Sequence, residues 1–218
     1  MDEREDQKRA AAEAAAGEIA AGSSVGLGTG TTVAHFLVAL ARRQLSLTCV
    51  ATSPATEEAA RALGLSVQPF DLIDELDVAV DGADQVSPEL WLVKGGGGAH
   101  TREKIAALAA DRFVVIVSAD KRVPKLHPPV PLEVMPFGVA ATVRAASRLG
   151  EVRRREVSTT TPDGNLLFDL HAEIGDPAAM AAEIDAIPGV VQHGLFPPSM
   201  VSEVVVGTAG GGVERLSR

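Results

Sequence analysis

Apolar and polar positions along this chain follow two periods that take turns. The segments SVGLG, LTCVATS, SVQPF, LDVAVDGAD, LWLVKG and FVVIVSA are short and end at turn-forming or polar residues, which is how buried strands read. Between them, AHFLVALARRQ, ATEEAARALG and TREKIAALAADR bring apolar residues back at helical spacing, and DQKRAAAEAAAGEIA supplies a helix ahead of the first strand. Strands alternating with such helices predict a doubly wound, largely parallel, Rossmann-like α/β sheet. From Leu132 the order changes. LEVMPF predicts a strand, GVAATVRAASRLG a helix, EVRRREVST and NLLFDLHAEI two strands around the turn TPDGN, PAAMAAEIDAI a helix and VVQHGLF a strand. That βαββαβ order predicts a ferredoxin-like α+β domain. SEVVVGTAG then reads as a strand returning to the first sheet, so the small domain is inserted. Residues 1–130 with 200–218 are expected to form the α/β domain, and 131–199 the insert.

Composition narrows the class. The chain has 218 residues, enough for one domain or two small ones, and 46% of them are apolar. Aromatic residues make up only 3%, so the core must be aliphatic and rich in alanine. A formal charge of −9 argues against nucleic acid or a membrane surface as main partner, and no uninterrupted apolar run approaches bilayer-spanning length. The N-terminus is charged and helical rather than signal-like, which points to the cytoplasm. Cys49 is the only cysteine and reads as a small buried residue, so no intrachain disulfide is expected. The five histidines are scattered without HExxH-type spacing, so no metal site is expected either.

Candidate chemistry concentrates in DGADQVSPELWLVKGGGGAHTREKI, from Asp81 to Ile105. Asp81 and Asp84 follow the apolar run ending at Val80, at the carboxyl end of a strand, where open α/β sheets bind ligands. A second apolar run ends at Lys94. The glycines that follow, from Gly95 to Gly98, would cost too much backbone entropy inside a helix or strand to be filler, and their N–H groups can approach an anion closely. Thr101 reads as the N-cap of the next helix, which puts Glu103 in its first turn. Carboxylate, ammonium and glycine loop are thus expected at one loop surface. Nearer the N-terminus, GTGTT from Gly28 to Thr32 joins a short strand to an amphipathic helix. Its glycines leave room for an oxygen-rich ligand, its threonines offer hydroxyls, and the helix directs its positive end at an anion. It is neither a Walker loop, lacking GK[ST], nor GxGxxG, lacking the spaced third glycine. Taken singly, each feature also has a plainer reading: DGAD as a turn, Glu103 as a dipole-favoured first-turn residue, Lys121 in SADKRV as a solvated strand end.

In order from Gly28 to Phe196, GTGTT, DGAD, KGGGGAHTREKI, SADK, PLEVMPF and IPGVVQHGLF resemble the motifs of ribose-5-phosphate isomerase of type A. The resemblance covers nearly the whole chain. It implies interconversion of ribose 5-phosphate and ribulose 5-phosphate in the non-oxidative pentose phosphate pathway, without metal or organic cofactor, by a homodimer or a dimer of dimers. It also implies that the acid-base glutamate falls on Glu103, the two active-site aspartates on Asp81 and Asp84, and the active-site lysine on Lys94. Substrate-binding positions fall on Thr29, Gly30, Thr31, Thr32, Gly82, Ala83, Gly95, Gly96, Gly97 and Lys121, and a lysine that can face the phosphate in relatives maps onto Lys8.

The reaction asks for such a set independently. Moving a carbonyl from C1 to C2 needs one base to take the proton from C2 and return it at C1, through an enediol(ate), and a carboxylate such as Glu103 suffices. Lys94 and the glycine-loop amides suit the charge on the intermediate. Either Asp81 or Asp84 suits the proton transfer that opens the sugar ring, and GTGTT with Lys121 suits the phosphate. The pattern departs from the family at Gln85, at TPDGN, at Ser202-Glu203 and at His100, none of them an assigned catalytic position. Two rival functions compete. One is a non-catalytic sugar-phosphate sensor, for which no DNA-binding segment is visible. The other is a different enzyme of similar architecture, such as an amino-sugar phosphate deaminase or a CoA transferase, which the DGAD-to-REKI block resembles less.

Overall fold

Where apolar residues run together the chain forms strands, and where they recur at helical spacing it forms helices. The computed structural model describes residues 2–157 and 160–217. In chain order the elements are α1 (Glu3–Gly17), β1 (Ser24–Leu27), α2 (Thr31–Arg42), β2 (Thr48–Ala51), α3 (Pro54–Ala62), β3 (Leu76–Asp81), β4 (Gln85–Val86), β5 (Leu92–Val93), α4 (His100–Leu108) and β6 (Ala110–Ser118). Then come β7 (Val130–Val134), α5 (Val139–Ala146), β8 (Glu151–Arg154), β9 (Leu166–His171), α6 (Pro177–Asp185), β10 (Val190–His193), β11 (Leu195–Phe196), β12 (Glu203–Gly207) and β13 (Val213–Leu216). They divide into two units. One takes the chain up to Ala83, Arg102–Arg122 and the chain from Ser199; the other takes Asp84–Thr101 and Val123–Pro198. No helix among the described residues is long and apolar enough to cross a membrane.

The first unit holds a six-stranded sheet in the order β13-β12-β6-β3-β1-β2. All neighbours are parallel except β12 and β13. Strand pleating sends Val25, Leu27, Cys49, Val78, Val80, Val114 and Ile116 to one face. There they meet Ala11, Ala12, Ala15 and Ala16 of α1 and Val33, Phe36, Leu37 and Leu40 of α2. The alanine stripe gives α1 a flat surface, so a chain poor in aromatics still fills this layer. Val50 and Leu76 pack instead with Ala106 of α4, so helices sit on both faces as a doubly wound sheet requires. Strand order reverses at β1: the chain steps from β1 out to β2 and then back across to β3. The switch point therefore lies between β1 and β3, where open α/β sheets bind ligands.

In the second unit, β10-β7-β9-β8 form an antiparallel sheet, the strand order of a ferredoxin-like βαββαβ unit. Leu132, Val134, Phe168, Leu170, Ile174 and Ile184 build its core. In TPDGN, the Thr161 N–H donates to Asn165 O at 2.8 Å and closes the turn before β9. A smaller antiparallel sheet, β11-β5-β4, completes the unit.

Several expectations shift. Residues 84–101 and 123–130, assigned from sequence to the α/β domain, pack in the second unit. There β5 pairs antiparallel with β4 and β11, Val123 N–H donates to Val86 O at 3.0 Å, and Leu126 and Val130 join the second core. LWLVKG thus yields a two-residue strand outside the parallel sheet. SVQPF yields only an isolated bridge from Val67 to Cys49. β13 is an unanticipated edge strand. Of EVRRREVST, β8 takes Glu151–Arg154, and the expected end at Ser158 and Thr159 lies outside the described residues.

Candidate active site

In the first unit, three carboxyl-terminal strand ends line up along one edge of the sheet. β1 runs into Gly28–Thr32, its neighbour β3 ends on Asp81, and β6, next to β3, runs into the 3-10 turn Ala119–Lys121. Asp81 is buried, and its Oδ1 accepts the N–H of Thr29 at 3.0 Å and that of Gly82 at 2.7 Å. One carboxylate therefore clasps the loops after β1 and β3 across the switch point. Gly28 is glycine for want of space, since a Cβ there would run into the Asp81 carboxylate. Gly30 caps α2 at φ 119° with no side-chain cap, which leaves the first-turn amides of α2 to a ligand. Gly30 and Thr31 are exposed and Thr32 half-buried, so the loop apex is open. Gly82, Ala83 and Lys121 are half-buried at the same edge.

Glu103 lies in the first turn of α4 and is 4% exposed. Lys8, on α1, is buried with its ammonium donating to Glu5 Oε1 at 2.6 Å, while Glu5 Oε2 meets His35 Nε2 at 2.9 Å. The hydrogen bond from Lys8, then that from His35, lowers the Glu5 carboxyl to about 2. The structure thus gives the Lys8 ammonium a carboxylate partner one helical turn away.

The second unit carries Asp84, Lys94 and the glycine loop. Asp84 is exposed, and its Oδ2 accepts the Gly96 N–H at 2.8 Å. Lys94 is 3% exposed, with its ammonium 5.4 Å from the Phe196 ring centroid, a cation–π approach. Gly95 holds φ 113°, and a Cβ there would meet His100 Nδ1 and Pro131 Cβ at 2.8 Å, so only glycine fits. Gly96 and Gly97 are exposed. Asp81 is the last residue of β3 and Asp84 follows three residues on, and the two serve different units: Asp81 ties the loop after β1, Asp84 the glycine loop.

Residues that sequence reasoning passed over support both loops. Arg155, in the segment EVRRREVST read only as a strand, forks onto Asp169 at 2.6 and 3.0 Å and donates to the Gly95 carbonyl at 2.7 Å. Glu133, read as one more residue of LEVMPF, is 1% exposed and accepts from Thr101 Oγ1, from Thr161 Oγ1 at 2.9 Å and from Asn165 Nδ2 at 2.7 Å. Thr101 is consequently not the N-cap expected of it; α4 begins at His100, and the Thr101 hydroxyl is drawn to Glu133. Gln85 and His127 bond reciprocally through Gln85 Nε2 to His127 O at 2.7 Å and His127 N–H to Gln85 Oε1 at 2.8 Å. Thr52, Ser53 and Thr56 surround the Thr29 hydroxyl. Ser followed by Pro is a helix-start pattern that could have marked Ser53, but nothing local signals its reach to another loop. Among the described residues no group of three or more His, Cys, Asp or Glu is placed to hold a metal ion.

Residues 48–211 match the family model described as ribose 5-phosphate isomerase A (phosphoriboisomerase A). A ribose-5-phosphate isomerase A of Methanosarcina acetivorans is 40% identical over 223 aligned positions, covering 97% of this chain and 94% of the relative. The crystal structure of ribose 5 phosphate isomerase A from Neisseria gonorrhoeae superposes with a TM-score of 0.93 at 32% identity, covering 98% of this chain and 97% of that one. A D-ribose-5-phosphate isomerase in complex with phospho-erythronic acid superposes with a TM-score of 0.92 at 36% identity, covering 99% of each chain.

Proposed function

The chain belongs to the ribose 5-phosphate isomerase A family, and from that premise we propose that it interconverts D-ribose 5-phosphate and D-ribulose 5-phosphate by proton transfer through an enediol(ate). The observation that carries the proposal is family membership along nearly the full chain, with the carboxylates, lysine and glycine loops that this chemistry needs all present. In this reading Glu103 takes the proton from C2 and returns it at C1, while a second proton passes from the C2 hydroxyl to O1, so that the carbonyl moves from C1 to C2 through the enediol(ate). A carboxylate 4% exposed is shielded from bulk water, so the abstracted proton is returned to the sugar rather than lost. The Lys94 ammonium and the amides of Gly95 to Gly97 stabilise the oxyanion of the intermediate. Ring opening falls to Asp81 or Asp84, which moves a proton between O1 and the ring oxygen.

The loop from Thr29 to Thr32, with Gly82, Ala83 and Lys121, holds the substrate and its phosphate, supplying binding energy far from the reacting carbons. The bound phospho-erythronic acid in one related structure, an acyclic sugar-acid phosphate, supports a substrate of this size and charge. The same reading takes the chain as a cytoplasmic homodimer, which light scattering on the purified protein would count. The direct test is conversion of ribose 5-phosphate to ribulose 5-phosphate by purified protein in excess EDTA, alongside Glu103→Gln. Wild-type turnover with loss of at least about a thousandfold in Glu103→Gln is expected, since the amide keeps the shape but cannot accept and return the substrate proton. Substrate binding without turnover in both proteins would point to a sensor instead, and turnover retained by Glu103→Gln would remove Glu103 from the base role.

A further inference from the structure

The hydroxyls of Thr29, Thr52, Ser53 and Thr56 meet beneath the loop after β1, and their hydrogen-bond polarity can be deduced link by link. Thr52, Ser53 and Thr56 are 4%, 7% and 6% exposed. Each hydroxyl has one hydrogen and two acceptor positions. Thr56 Oγ1 lies 2.8 Å from the carbonyl oxygen of Gly28, which has no hydrogen to give, so the Thr56 hydrogen goes there. The 3.0 Å contact between Ser53 Oγ and Thr56 Oγ1 must then use the hydrogen of Ser53. Ser53 Oγ already accepts the Thr56 N–H at 3.2 Å as the N-cap of α3, and its contact with Thr29 Oγ1 at 2.9 Å must use the hydrogen of Thr29. The Thr29–Thr52 contact at 2.9 Å is left to the hydrogen of Thr52. The longer Thr29–Thr56 approach, 3.3 Å, receives none. A directional chain results, from Thr52 to Thr29 to Ser53 to Thr56 to the Gly28 carbonyl, and each hydroxyl fills its donor position.

We infer that Ser53 and Thr56 are positioning residues for the anion loop, and that the Thr29 hydroxyl is a strut of that loop rather than a ligand of the substrate. This rests on the reading of Gly28–Thr32 as the phosphate loop. Thr29 has its N–H on the Asp81 carboxylate and its O–H on Ser53, so neither of its donors is left for a substrate anion. The donors that remain are the amides at the start of α2 and the hydroxyls of Thr31 and Thr32. They keep their place because Gly28 is held from two sides, its N–H by Val80 O at 2.9 Å and its carbonyl by Thr56. Ser53 of the β2–α3 connection and Thr56 of the first turn of α3 thereby set the geometry of a loop they do not belong to.

The test measures KM for ribose 5-phosphate and the inhibition constant of inorganic phosphate in Thr56→Val, Thr29→Val and the double variant, with Thr56→Ser as the conservative control. Each valine is expected to raise both constants about tenfold, the change falling on KM rather than kcat, because a buried hydrogen-bonded link is lost and its partners are left unmet. Thr56→Ser restores both constants. The double variant should lie within about twofold of the weaker-binding single, since both cut one chain and their effects do not add. Multiplying effects would mean that Thr29 binds the anion in its own right, and a folded Thr56→Val with unchanged constants would make its hydroxyl an ordinary helix feature; either overturns the inference. Should Thr56→Val not fold, Ser53→Ala cuts the chain one link earlier and takes its place. Thr32→Val separates this inference from its premise: if that variant also leaves both constants unchanged, the phosphate-loop reading itself fails.

Discussion

Replacing Glu133 asks how much the second unit depends on one buried carboxylate. Glu133 sits within a strand buried at every position, and its two oxygens receive three donors, two hydroxyls and an amide. Hydrogen bonds to a charged group contribute about 1.5–3 kcal/mol each, so the three together amount to about 4.5–9 kcal/mol before the cost of burying the charge. That cost takes back part of the sum, and since each buried donor left unmet costs about 1–3 kcal/mol, a net loss of about 3–5 kcal/mol is expected. Glu133→Leu, close in volume, should therefore lower Tm by about 6–20 °C, at about 2–4 °C per kcal/mol for a chain of this size. Glu133→Gln should be far milder, about 1–2 kcal/mol. Its amide oxygen still accepts from Thr161 and Asn165, and the Thr101 hydroxyl can turn to accept from the new NH₂. Thermal and urea unfolding followed by far-UV circular dichroism would rank the three proteins. A leucine variant as stable as the parent would refute the reasoning, because it would mean that desolvating the carboxylate costs as much as its three hydrogen bonds return.

Other outcomes follow from features of the first unit. Gly28→Ala should raise KM for ribose 5-phosphate at least about tenfold, because the new methyl must displace Asp81 and with it the Thr29 amide, an overpacking of about 1–3 kcal/mol; unchanged KM would show that the clasp tolerates movement. The Glu5 carboxyl lies at about 2 instead of its usual 4.5, so its contribution to stability is present above pH 4.5 and lost as pH falls toward 2. Urea midpoints of Glu5→Gln and the parent should accordingly converge over that interval, and a constant gap would contradict the Lys8–Glu5–His35 arrangement. Burial pushes the Cys49 thiol up to about 11 from 9.0, so stability should decline as pH rises from 9 to 11. The native protein should leave a thiol reagent unreacted at pH 8, whereas rapid labelling would mean that β2 opens readily.

The parallel sheet was legible because its strands are four to nine residues long and flanked by helices whose apolar stripes are unambiguous. Val33, Phe36, Leu37 and Leu40 of α2 could face only one way. β4, β5 and β11 have two residues each, too few for any period to register, and this is why the chain around them was assigned to the wrong side of the division. β13 hides behind a glycine run, with Glu214 and Arg215 breaking its apolar pattern. The loops that hold the candidate site were visible as glycines and carboxylates at strand ends. Their supports were not. Arg155 reaches a carbonyl 60 residues away, Glu133 a hydroxyl 32 away and Thr56 a carbonyl 28 away, and no local pattern encodes such distances.

The route of the backbone also has a kinetic side. β6 and β12 are adjacent parallel strands, yet most of the second unit is threaded between Ser118 and Glu203. Closing that pair early would require bringing together the ends of a long unstructured segment, at an entropic cost that grows with its length. If the segment first collapses on its own core, its ends are already near each other and the cost falls. The second unit is then a folding aid as well as a carrier of Lys94. While the pair remains open, β6 presents an unpaired edge with Val114, Val115, Ile116 and Val117 in a row, the kind of edge on which another copy can pair.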